Sequence, residues 1–396
     1  MRNLVFCLSV LIFPAVQAQA LPQQVNLAQY LDLVRSHSLL LQAEQTQVDA
    51  AAADADGARL LPNPSLSVSR RRSERQVMVE QELPIFGQRS ARIASADSAT
   101  GAARARVESF AAQQLKQAAI DFIGLLVAQE REKVWQDALA DLQRAASVVG
   151  GQVQSGTRSR YDLARAEIEL ATLEAKLAQA KAASANAAST LAQTVDSSDW
   201  RPVALGALDL PPPAQGFETL WQTTRERLPA VAAAQAEHAH AQQRVIQAGK
   251  EALPVPLIGL GNVRGDAGHE PMVSVSVSIP LFDRNQGEIR KARAEAREKR
   301  LRNEAALAHA EAELRRALEQ FEHQRELTAR FEQQALSQLS RLRRMAEDGY
   351  ALGQAGILEL IDAMRSRTDI MTAHLDLVES TLQAQVTLRH AAGLMH

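Results

Sequence analysis

Residues 272–287 read Met272-Val273-Ser274-Val275-Ser276-Val277-Ser278-Ile279-Pro280-Leu281-Phe282-Asp283-Arg284-Asn285-Gln286-Gly287, and a charged, alanine-rich run follows to about Met345. Val273, Val275, Val277 and Ile279 fall on one side of an extended chain, and Ser274, Ser276 and Ser278 on the other. Strict alternation predicts a strand with one apolar and one small polar face. Pro280 stops it, and the period changes from two to helical. The same passage occurs upstream as Val77-Met78-Val79-Glu80-Gln81-Glu82-Leu83-Pro84-Ile85-Phe86-Gly87-Gln88-Arg89, again before a long helical run. The chain therefore feeds a strand into an unusually long helix twice.

Each of these strands has a partner before it. Ser65 to Arg70 alternates with Leu66 and Val68 on one face and pairs with Val77 to Leu83. Leu257 to Gly261 pairs with the Val/Ser strand across a Gly265–Gly268 turn. Proline stops, Leu61-Pro62-Asn63-Pro64 and Leu253-Pro254-Val255-Pro256, precede both hairpins. Helices are expected over 26–59, 88–148, 160–195, 217–252, 285–347 and 357–389. Gly150, Gly151 and Gly156 break the first long run, and Gly349, Gly353 and Gly356 break the second. Leu163, Ala166, Leu170, Leu173 and Leu177 form a heptad seam, and Leu314, Leu318, Phe321, Ala335, Leu339 and Leu342 another. Pro84 and Pro280 are 196 residues apart, and Gly156 and Gly353 are 197 apart. Offsets that agree to within one residue indicate an internal duplication. The expected organisation is a signal peptide over 1–20, a first helix–hairpin–helix repeat over 21–200, a linker over 201–216 and a second repeat over 217–396.

Composition agrees with long helices rather than a large compact core. Aromatic residues make up only 4% of the chain, and alanine takes their place. The formal net charge is -2, which argues against a nucleic-acid partner. Arg2 followed by the apolar run Leu4–Val16 and a cleavage site at Val16-Gln17-Ala18 or Ala18-Gln19-Ala20 reads as a secretory signal. Cleavage there removes Cys7, the one cysteine, so no disulfide or thiolate site is expected. No later run approaches the ~18 apolar residues of a transmembrane helix.

The strands lead to the function. A helix of ~60 residues is roughly 90 Å long, about three bilayer cores, and these helices are charged throughout. The strands have the pattern of a wall between lipid and a wet lumen, with Leu66, Val68, Val273, Val275, Val277 and Ile279 toward lipid. Four strands cannot close a barrel, and an open edge in hydrocarbon leaves backbone groups unpaired. Either the sheet stays in water or several copies share a barrel, and three copies would supply twelve strands. A soluble periplasmic coiled-coil scaffold or adaptor is the alternative class; it would share the heptads but would not need the hairpins.

The duplicated plan, the Val79–Pro84 junction and above all Ser278-Ile279-Pro280-Leu281-Phe282-Asp283-Arg284-Asn285-Gln286-Gly287 resemble the TolC family of outer-membrane efflux proteins, and within it the heavy-metal-exporting branch. Gly353-Gln354-Ala355-Gly356-Ile357-Leu358-Glu359-Leu360-Ile361-Asp362-Ala363 resembles that family's second periplasmic turn. The resemblance spans about residues 25–393. It implies a mainly helical homotrimer, with a twelve-strand barrel in outer-membrane lipid above a twelve-helix periplasmic tunnel. It also implies a periplasmic adaptor (membrane fusion) protein and an RND-type inner-membrane pump as partners. No Ser/His/Asp or paired-carboxylate arrangement and no phosphate-binding glycine loop stands out, so no cofactor and no enzyme activity are expected.

Under that resemblance the lower turns become docking candidates: Gly151, Gly156, Arg158, Arg160, Tyr161, Gly349, Gly353 and Leu358. Simple turn chemistry is the competing explanation for the glycines. Asp348, Glu359, Asp362 and Arg365 are gate candidates, against the plainer view that they are solvated charges. His238-Ala239-His240 does not make a metal site, because residues two apart on a helix do not face each other. Arg70-Arg71-Arg72 is placed in the first hairpin connection, where contact with lipid phosphate and simple solvation are both open.

Overall fold

The computed structural model describes residues 21–72, 74–265, 268–351 and 354–395. The expected signal peptide, residues 1–20, lies outside them, as does Gly353. The order of elements is β1 (Gln24–Val25), α1 (Leu27–His37), α2 (Leu39–Arg59), β2 (Ser65–Arg71), β3 (Glu74–Glu82), α3 (Gln88–Gln154) and α4 (Arg160–Thr194). Then follow β4 (Val203–Ala204), α5 (Phe217–Thr224), α6 (Pro229–Glu251), β5 (Pro256–Gly265), β6 (Gly268–Val277), α7 (Gln286–Phe331), a π-helical turn (Glu332–Leu336), α8 (Ser337–Ala351) and α9 (Ile357–Ala391). The second half thus follows the first in order: broken helix, hairpin, very long helix, turn, long helix.

The two hairpins join in one antiparallel sheet ordered β2-β3-β5-β6. Beneath it the helices lie in the matching order, with α2 against α3, α3 against α6 and α6 against α7. Charged ties hold this layer: Glu237 on α6 receives Lys299 of α7 at 2.6 Å and Arg106 of α3 at 3.4 Å. Farther from the sheet, α3 packs on α4 and α9, and α9 packs on α7 and α8. α3 has 67 residues, which at 1.5 Å per residue makes it about 100 Å long. No helix among the described residues is long and apolar enough to cross a membrane.

Apolar burial is spread along the bundle in separate clusters. At mid-height Tyr30 stacks on Phe122 at 5.8 Å and on Trp200 at 6.3 Å. The connection after α4 is fastened there, because β4 pairs in parallel with β1 and Gln129 of α3 bonds both backbone groups of Ala204. A third cluster, including Leu142, Val149, Tyr350, Ile357 and Leu360, lies at the far end.

Several expectations need correction. The helix expected over 26–59 is two, because Ser38 is extended at φ -60°, ψ 117°. The helix expected over 217–252 is also two: α5 ends before Leu228, and Pro229 starts α6, where a missing N–H costs nothing. Gly150 and Gly151 do not interrupt α3, which continues to Gln154. The heptad run expected to 347 is broken by the π-helical turn, which shifts the register. Leu342 is accordingly exposed, whereas Leu314 and Phe321 above the turn are buried. Arg70 and Arg71 belong to β2, and only Arg72 lies in the connection, with a left-handed φ of 27°.

Candidate functional site

The sheet is the first candidate surface. Its register puts Leu66 opposite Val79, Val79 opposite Leu260, and Leu260 opposite Val273. Residues directly opposite share a face, so one face carries Leu66, Val68, Val77, Val79, Val273 and Val275. That face is bare within the chain: Val275 is 70% exposed, and Leu66, Val68, Val273, Val277 and Ile279 are exposed with it. Ile279 lies just past the end of β6. Below the strands the apolar surface continues through Ile85, Phe86 and Leu281 to Phe282, which is 93% exposed.

The opposite face is mixed, with serines and glycines beside Gln76, Glu80, Met78 and Met272. Ser67, Met78, Gly261 and Met272 form one of its rows. Met78 is buried there and accepts a hydrogen bond from Gln76 Nε2 at 2.6 Å. A Cβ on Gly261 would stand 2.5 Å from Met78 Cγ, and one on Gly259 would stand 2.4 Å from Ser274 Oγ. At Gly261 the nearest atom would be the Val77 carbonyl oxygen at 2.3 Å, so glycine is required there, whereas the atoms nearest a Cβ on Gly259 belong to side chains.

The far end is the second candidate. α3 finishes at Gln154, and Gly156 reverses the chain at φ +76°. Gly156 N donates to Val153 O and Thr157 N to Gln152 O, which satisfies the last carbonyls of α3. Ser159 Oγ caps α4 by accepting from Asp162 N. In the second turn Gln354 N and Ala355 N both donate to Gly349 O at 2.9 Å. Gly151 lies inside α3 and Gly349 inside α8, so neither makes the turn expected of it. Arg158, expected only as a docking cation, sits 4.9 Å over the Tyr350 ring, and Tyr350 Oη approaches Gln152 Oε1 at 3.3 Å. These contacts join the two turns. Arg160, Tyr161 and Leu358 are exposed beside them, Tyr161 at 62%.

The four charges read as gate candidates have different environments. Glu359 accepts from Gly356 N at 2.9 Å and so caps α9. Arg365 makes a two-pronged ion pair with Glu169 of α4, with Nε at 2.7 Å from Oε1. Glu169 is buried, its side chain only 6% exposed. That hydrogen bond, with the nearby carboxylates, holds the Arg365 guanidinium above its ordinary range. Asp362 and Asp348 are exposed, and Asp362 contributes to the field at Arg365. Further ion pairs tie α9 to α3: Arg367 to Asp141 at 2.7 Å, and Asp376 to Arg131 at 2.5 Å. His374 meets Glu332, the first residue of the π-helical turn, at 2.9 Å.

The Glu169–Arg365 pair was missed by reading each half separately. The signal was present: its members are 196 residues apart, the same separation as Pro84 and Pro280. His238 and His240 are engaged separately. His238 Nε2 contacts Gln242, and His240 Nδ1 lies 3.2 Å from both Ser98 Oγ and Ser95 O. Burial holds the His240 pKa below its ordinary value.

Residues 220–394 match the family of outer membrane efflux proteins. The chain is 29% identical over 380 residues to the cobalt-zinc-cadmium resistance protein CzcC of Cupriavidus metallidurans, covering 92% of this chain and 88% of that one. Its fold is similar to that of the Campylobacter jejuni CmeC outer membrane channel, with a TM-score of 0.77 at 16% identity over 93% of this chain and 85% of that one. It is also similar to the open state of the Neisseria gonorrhoeae MtrE outer membrane channel, with a TM-score of 0.76 at 17% identity over 93% and 88% of the two chains. The likeness to TolC-type efflux channels carried by the junction motifs is therefore found again in family, relative and fold. The proteins it resembles are channels, not enzymes.

Proposed function

We propose that this chain, an outer-membrane efflux channel subunit of the TolC type, is the passive exit duct of a three-part export machine, assembled as a homotrimer and loaded with heavy-metal cations. One observation carries the reading. The sheet presents an exposed apolar face without a partner in its own chain, on top of charged helices that reach far below it. In hydrocarbon the free edges of β2 and β6 must be paired, and two further copies of the sheet would pair them in a closed ring of twelve strands. The opposite face, with Ser67, Gly259, Gly261 and Ser274, then lines the lumen. The helices below continue that wall through the periplasm.

An inner-membrane pump of the RND type supplies the energy, and a periplasmic adaptor joins it to the duct. The adaptor grips the turn end through Gly151, Gly156, Arg158, Arg160, Tyr161, Gly349, Gly353 and Leu358. Asp348, Glu359, Asp362 and Arg365 govern the opening beside it. The resistance named for the Cupriavidus metallidurans relative supports divalent metal cations as cargo.

Envelope fractionation with metal-salt plating tests this. The chain should be extracted only by detergent, as a heat-dissociable trimer. A strain lacking it should become sensitive to cobalt, zinc and cadmium salts and not to dyes. A freely water-soluble monomer would sink the duct reading in favour of a periplasmic scaffold. A trimer whose loss sensitises cells only to dyes would sink the metal cargo alone.

A further inference from the structure

The register of the sheet assembles a row of three arginines and a histidine that no single stretch of sequence displays. Arg70 stands opposite Arg75, Arg75 opposite Arg264, and Arg264 opposite His269. Directly opposed residues project from one face, so these four share the apolar face with Val68, Val77 and Val273. Strands are about 4.8 Å apart, so the row crosses the whole sheet in roughly 15 Å. All four residues are exposed. Among the described residues Arg70, Arg75 and Arg264 make no ion pair. His269 Nδ1 is 3.2 Å from Asn262 Oδ1 on the same face.

Like charges placed directly opposite one another destabilise a sheet. Three guanidinium groups in one rank therefore call for an anion, and the position says which. The row lies at the end of the sheet away from the helices, one step before the hairpin connections at Arg71–Glu74 and Gly265–Gly268. From Val277 to His269 the strand covers about 26 Å along its axis, or roughly 20 Å of depth at the tilt of a barrel strand, and exposed Ile279 and Leu281 below it extend the apolar surface toward the ~25 Å band of a membrane barrel. With the apolar face in hydrocarbon, the row sits where the headgroups of the surface leaflet begin. Guanidinium forks match phosphate oxygens two at a time.

We propose that Arg70, Arg75, Arg264 and His269 form a binding row for the phosphates of lipid headgroups in the surface leaflet, repeated in every copy around the ring. This rests on the duct reading above. The row fixes the depth of the barrel in its membrane and fills the gap that like charges would otherwise leave unpaired.

The full-length protein, reconstituted into phosphatidylcholine vesicles doped with bis-phosphorylated lipid A, provides the test. Lipid A retained per trimer after detergent extraction is counted by mass spectrometry, beside a control doped with dephosphorylated lipid A. The Arg70→Gln/Arg75→Gln/Arg264→Gln variant should retain roughly a hundredfold less of the phosphorylated lipid, and each single variant about fivefold less. The single variants carry the test if the triple variant fails to assemble. The dephosphorylated lipid should distinguish none of the proteins, and high salt should weaken retention by the wild type. Equal retention by wild type and variants overturns the row while leaving the duct intact, and assigns these arginines to a solvated hairpin. A chain that enters neither vesicle overturns the duct and the row together.

Discussion

The two ends of the molecule are finished in opposite ways. At the sheet end the apolar side chains of the outward face are left uncovered by the chain: Leu66, Val68, Val273 and Val275 are exposed, and β2 and β6 end the sheet with free edges. At the turn end many of the described groups have an internal partner. Gly156 N, Thr157 N, Gln354 N and Ala355 N have carbonyl acceptors, Gly356 N has Glu359, Tyr350 holds Gln152 and Arg158, and Arg365 holds buried Glu169. An end with unmet needs calls for other molecules to complete it, which on the duct reading are lipid and further copies. An end that is internally bonded has a conformation of its own, and external partners must work against those bonds to change it. Substitutions at the sheet should therefore act on assembly, and substitutions at the turns on stability and opening.

Val273→Arg should break the first half of that contrast with the largest effect. Val273 is 71% exposed on the apolar face. An arginine near the bilayer midplane costs about 2–4 kcal/mol per copy, and a ring of three carries it three times. The expected outcome is loss of the heat-dissociable trimer from detergent extracts. Ser276→Asn, on the opposite face, should leave the trimer in place. Normal assembly of the arginine variant would mean that this face does not meet lipid.

Arg365→Ala tests the turn end. It strands the buried Glu169 carboxylate beside α9. Charged hydrogen bonds contribute about 1.5–3 kcal/mol. Arg365 is half-exposed, so the lower part of that range applies. The trimer should form, unfold at a lower temperature and conduct more in planar bilayers. Glu169→Gln/Arg365→Gln should recover part of the lost stability, because no charge is then left buried alone. A single variant with wild-type unfolding and conductance would deny the pair any role in holding α4 to α9.

The fold was legible wherever a two-sided environment imposed a period. The Val/Ser strand announced itself by strict alternation, and the seam through Ala166, Leu173 and Leu177 appears as buried residues on α4. What escaped reading has physical reasons. The break at Ser38 has no glycine or proline to mark it. The π-helical turn at Glu332–Leu336 changes the hydrogen-bond register without changing residue type. The row of Arg70, Arg75, Arg264 and His269 exists only once strand register is known, since its members come from four separate strands. The turn glycines show the limit of composition most clearly. Gly151 and Gly156 are the same residue five positions apart, and the sequence offers no means of ranking them.

Their difference supplies the finest test of how the turn end is built. Gly156 holds φ at +76°, in the left-handed region. A Cβ there meets no neighbouring atom, so the cost of Gly156→Ala is purely conformational. It should amount to about 1–2 kcal/mol. Gly151 is inside α3, and a Cβ there also meets nothing within 4 Å. Gly151→Ala should therefore stabilise by about 0.5–1 kcal/mol, because glycine loses more backbone freedom in a helix than alanine does. Thermal unfolding of the two variants in detergent should shift the midpoint in opposite directions. If both lower it alike, α3 does not run unbroken through Gly151 to Gln154, and the turn begins at Gly151.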